Sequence, residues 1–149
     1  MAFATGRNML RDIFRAVYTP RYVQELVAAV YDKRVVFVQN RAEIAPGISV
    51  HHVGGHTDGL QIVRVRTRRG WTVLASDAAH FYSNLELANP YPILYNVGDM
   101  MRGFDTIRSL ASSDTHVIPG HDPLVLQRFP APKPALNGIV ARLDSEVLP

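Results

Sequence analysis

The sequence predicts an α/β fold in which strands and helices pack in layers, and three observations predict it. Apolar residues recur at helical spacing through the first third of the chain. The period then changes to two over several short runs bounded by glycine and proline. Helical spacing returns over 98–110 before one last apolar run. At 149 residues, 47% of them hydrophobic, the chain has the size of one domain and can bury a moderate core. We read 1–149 as a single domain.

The elements follow in order. Met9, Leu10, Ile13, Phe14 and Val17 predict a helix that ends at Thr19-Pro20, and Leu26, Val27 and Val30 stripe a second helix from Tyr22 to Tyr31. Arg34 to Gln39 reads as a short β-rich run, Glu43 to Gly47 as a turn around Pro46-Gly47, and Ile48 to Val53 as a strand ended by Gly54-Gly55. Gln61 to Thr67 and Trp71 to Ser76 read as a hairpin turning at Arg68 to Gly70. After Asp77 the chain is irregular through Asn89-Pro90-Tyr91-Pro92, a candidate substrate-facing loop. Gly98 to Leu110 is helical, Thr115 to Ile118 is a last strand, and Phe129 to Pro134 is a proline-rich tail extended over the surface.

Composition removes several classes of function. There is no cysteine, so disulfides and thiolate ligands are excluded, and a metal would need His, Asp or Glu. No apolar run is long enough to span a membrane, and 1–10 lacks a signal-type apolar core; a cytoplasmic protein is the expectation. The net charge of +3 is too small and dispersed for a nucleic-acid surface. Its densest stretch is Arg64, Arg66, Arg68 and Arg69, the first three of which alternate with Val63, Val65 and Thr67 at strand period. We read those arginines as the solvated outer face of an amphipathic strand rather than as a phosphate-binding group.

Chemistry concentrates at three strand ends. His56 follows Val53-Gly54-Gly55, Asp77 follows Val73 to Ser76, and His121 follows Val117 to Gly120. A sheet fixes such positions while the adjoining loops leave room for substrate, and imidazole and carboxylate are standard metal ligands. Taken one at a time, a histidine beside glycine is more often a turn or hydrogen-bonding residue, and Asp77 reads equally as a loop cap.

The wording around them adds a resemblance. Gly55-His56-Thr57-Asp58-Gly59-Leu60-Gln61, Ser76-Asp77-Ala78-Ala79-His80-Phe81-Tyr82 and Ile118-Pro119-Gly120-His121-Asp122-Pro123 resemble, in order, three motifs of the metallo-β-lactamase superfamily, most closely its N-acyl-homoserine-lactonase-like members. The resemblance runs from about Thr5 to Leu143. It implies the C-terminal part of an αββα layered sandwich and hydrolysis of a lactone or related ester by metal-activated water. It also implies two zinc ions in a complete site: His56 would complete the first metal's ligands, Asp77 would bridge, and His121 would bind the second.

Two departures qualify what the resemblance implies. The family's HxHxDH motif is absent; His51-His52 lack its spacing and its aspartate, and we read them as strand residues. The expectation is therefore a chain that begins inside the family pattern, holds fewer than two zinc ions and self-associates through an uncovered sheet face or pairs with a complementing N-terminal half. A non-catalytic remnant or interaction module, or one half of a split enzyme, is the alternative. Secondly, His80 stands where several lactonases carry a substrate-contacting tyrosine. His80 as a hydrogen-bond donor or proton shuttle, with Tyr82 taking the tyrosine's part, is one reading; simple packing of the loop is the other.

Overall fold

The computed structural model describes residues 2–148, and the chain divides into two compact units, Met1–Gln39 and Asn40–Pro149. The first contains helix α1 (Ala2–Thr5), a 3-10 turn (Arg7–Leu10), α2 (Asp12–Arg15) and α3 (Pro20–Tyr31). The helical spacing over Met9 to Val17 is thus realised as two separate turns, because the intervening Arg11 is extended, with φ −104° and ψ 125°. Pro20 opens α3 where its missing N–H would have no helical partner anyway. No described residue of this unit is buried. The β-rich run 34–39 joins no sheet, and Val36 is 87% exposed. Apolar content favours a strand, but a neighbouring strand's ladder makes one.

In the second unit, β1 (Arg41–Ala45), β2 (Ile48–His52), β3 (Gln61–Thr67), β4 (Gly70–Ser76) and β5 (Val117–Pro119) form one sheet in that spatial order. All neighbours are antiparallel except β4 and β5. The turn expected over Glu43 to Gly47 is narrower than its composition suggests: β1 continues to Ala45. Gly47, at φ 72°, takes the left-handed conformation that a tight hairpin needs. The Glu43 carboxylate accepts the Gly47 N–H at 3.1 Å. Between β4 and β5 the chain crosses over through α4 (Tyr82–Glu86) and α5 (Val97–Leu110), as a parallel pair requires.

Register sorts the side chains. Ile62, Val73, Ala75 and Val117 cluster with Met100, Phe104 and Ile107 of α5, so this face of the sheet is the one the helix covers. His51 pairs with Ile62, Ser49 with Arg64, and Arg64 with Val73, which places Ser49, His51 and Arg64 on the helix side as well. Val50, Val63 and Leu74 share the opposite face and are only half-buried.

The alternation of β3 is therefore as predicted, but its sides are reversed. The arginines point toward the helix layer, and the valines point away from it. Helix α5 ends at Leu110 and covers the Ile62 end of the strand, leaving room beside Arg64; its Nε donates to the Leu110 carbonyl at 2.9 Å. The tail also differs from expectation. Phe129 is 2% exposed, with the Arg69 guanidinium 5.3 Å from its ring centroid. Proline content predicts extended backbone, but one buried aromatic suffices to anchor it.

Candidate metal centre

Two glycines and one strained residue bring the strand ends together. Ser76, the last residue of β4, has φ 48°, a conformation that costs a non-glycine residue roughly 1–3 kcal/mol and that turns the chain sharply at Asp77. Gly120 lies against it: a Cβ there would meet the Ser76 carbonyl oxygen at 2.6 Å. On the other flank Gly55, at φ 88°, touches Met100, where a Cβ would be 2.8 Å from the backbone of α5. The second and third motifs are then stitched by Gly120 N–H to Ala79 carbonyl and His121 N–H to His80 carbonyl, both 2.9 Å.

His121 Nε2 consequently lies 2.6 Å from Asp77 Oδ1, and His80 Nε2 lies 3.7 Å from the same oxygen. Asp77, His80 and His121 each offer a ligand atom within 4.8 Å of the others. His80 is the buried member, at 7% exposure. Its ring is stacked between Tyr91, 4.3 Å away, and His121, 4.8 Å away. His80 Nδ1 is buried without a hydrogen-bond partner, and Nε2 is too far from Asp77 for a hydrogen bond. Burial lowers the His80 pKa; Asp77 opposes that shift, while His121 and His56 reinforce it.

His56 flanks the group rather than joining it. Its ring centroid is 5.3 Å from that of His80. Its Nδ1 lies 2.7 Å from the Ile93 carbonyl, which can only accept, so Nδ1 is the donor and Nε2 is the ring nitrogen left to bind a ligand. Tyr82 faces elsewhere: its ring sits under the Arg128 guanidinium at 3.9 Å. Its phenol pKa is raised by burial, with Arg128 pulling the other way. The tyrosine beside His80 is Tyr91, from the irregular loop. Asp122 braces the loop, accepting the Tyr82 N–H and the Leu124 N–H, both at 2.9 Å.

The donors fit a divalent metal. Two imidazoles and a carboxylate converge, and the one buried ring has no hydrogen bond to lose on coordinating an ion.

No family model and no curated protein matches the chain. Solved structures do. A quorum-quenching N-acyl homoserine lactone hydrolase matches with a TM-score of 0.51 and 21% identity over 57% of this chain and 36% of its own. An N-acyl homoserine lactone hydrolase with N-hexanoyl-L-homoserine bound at its catalytic metal centre gives the same TM-score and identity over 34% of its length. A probable metal-dependent hydrolase from Staphylococcus aureus reaches a TM-score of 0.53 at 17% identity, over 62% of this chain and 34% of its own. Part of this chain therefore has the metallo-β-lactamase fold of the lactonases. It spans about a third of the length of these lactonase-fold structures. The fold explains why β4 and β5 are parallel neighbours: that adjacency sets the Asp77 and His121 loops side by side.

Proposed function

We propose that the chain is part of a metal-dependent hydrolase of the lactonase type, acting on a lactone or related ester. The observation that carries this reading is the convergence of Asp77, His121 and His80 at the β4 and β5 ends within a fold shared with lactonases. Asp77 and His121 are its metal ligands and His80 completes the group. His56, whose ring lies 5.3 Å from that of His80, offers Nε2 as a ligand to a second ion. A bound zinc ion would supply Lewis acidity to polarise the ester carbonyl and activate water.

The chain's own residues do the rest. Asp77 offsets part of the ion's charge, and the buried ring of His80, with the half-buried ring of Tyr91 stacked on it, excludes bulk water from one side. Tyr91, stacked on His80, rather than Tyr82, is the tyrosine available to contact a substrate. Zinc titration of the purified chain by calorimetry tests the reading. We expect saturable binding lost in Asp77→Ala, and hydrolysis of N-acyl homoserine lactones once a polypeptide carrying HxHxDH completes the site. Absence of zinc binding in the native chain would overturn it.

A further inference from the structure

We propose that the cavity between β1, β2 and β3 on the helix side of the sheet, lined by Arg41, Ser49, His51, Arg64 and Trp71, binds a small tetrahedral oxyanion such as a phosphate group. The site stands apart from the metal centre: Ser49, Arg64 and Val73 form one row across the sheet, whereas Asp77 lies beyond the end of β4.

Four features build it. The cavity measures about 130 Å³, roughly four times the ~30 Å³ share of a water molecule. That is room for a small oxyanion. Arg64 is held in place on both sides, with its guanidinium carbon 3.9 Å from the Trp71 ring centroid and its Nε on the Leu110 carbonyl; its terminal nitrogens have no hydrogen-bond partner among the described residues. His51 is 8% exposed, and its Nε2 is 2.9 Å from Ser49 Oγ, an oriented pair of short donors and acceptors. Finally, no carboxylate of the described residues forms an ion pair with Arg41, Arg64 or Arg66. Glu43, also at the cavity wall, has one oxygen on the Gly47 N–H.

The charges are consequently unbalanced. Burial lowers the Arg64 pKa, and Arg41 and Arg66 lower it further; burial, Arg64 and Arg41 do the same to His51. Cations that disfavour one another in a preformed concavity, with fork-shaped donors unpaired, match a multi-oxygen anion. An exposed amphipathic strand would instead spread such charges into solvent.

The test uses a reporter already in the site, since Trp71 is the chain's only tryptophan. Inorganic phosphate is titrated into chelator-treated protein at constant ionic strength, followed by tryptophan fluorescence, with chloride as the reference. We expect a saturable change that chloride does not reproduce. Arg41→Gln should raise the half-saturation concentration about tenfold, Ser49→Ala should raise it several-fold, and Asp77→Asn should leave it unchanged. Arg41 is exposed on the edge strand, so its replacement spares the core. A response indistinguishable from chloride, an unchanged midpoint in both Arg41→Gln and Ser49→Ala, or tighter binding of acetate than of phosphate would overturn the proposal.

Discussion

His80 and His51 are both buried and both pushed toward the neutral form, yet their surroundings prepare them for opposite partners. His80 sits beside a carboxylate and a second imidazole, with Nδ1 unbonded. That environment offers lone pairs and negative charge. His51 sits between two arginines and a serine that holds its Nε2, which offers N–H donors and positive charge. Burial alone therefore says little about what a histidine binds; the sign of the neighbouring charge decides.

The largest expected effects break the first environment and spare the second. Asp77→Ala should weaken zinc affinity by about 100-fold or more, beyond the 10–100-fold typical of a lost outer-shell partner, as measured by chelator competition. Gly120→Val should act similarly by forcing the β5 end off Ser76, with roughly 1–3 kcal/mol of destabilisation in denaturant melts. The Trp71 response to phosphate should survive at denaturant-free conditions, because the arginine cavity does not depend on that approach. If both responses vanish together, the two sites are not structurally independent.

A smaller effect tests the histidines' protonation. The folded-state pKa of His51 is depressed, so below the ordinary value of about 6.5 the unfolded chain binds the proton more readily. Stability from this group is present above that value and is lost as pH falls through it. Thermal melts of the zinc-free chain between roughly pH 7.5 and 5.5 should show a declining midpoint, and His51→Gln should flatten the decline without removing the share owed to His80. The smallest change belongs to Arg66→Gln. Arg66 is exposed and 5.3 Å from the Trp71 ring centroid, so stability should stay within about 0.5 kcal/mol and phosphate affinity should change less than Arg41→Gln changes it.

Part of the layout is legible in the sequence, for identifiable reasons. Apolar runs ending at Ser76 and at Pro119-Gly120 put Asp77 and His121 just past β4 and β5, whereas His56 lies in the loop four residues beyond β2. Tyr91 could not be assigned to the site, because its stacking on His80 spans an irregular loop with no period. Tyr82 was nearer in sequence and turned out to face Arg128.

The limits of local reading are sharpest on β3. Alternation by itself determined that Arg64 and Arg66 share one face and Val63 and Val65 the other, because successive side chains of a pleated strand must point oppositely. Which face meets a helix is a separate question. Only the tertiary structure decided it, through the crossover that lays α5 over Ile62 and Val73 and ends at Leu110, beside Arg64. A period carries no sign, and the sign comes from packing partners distant in the chain.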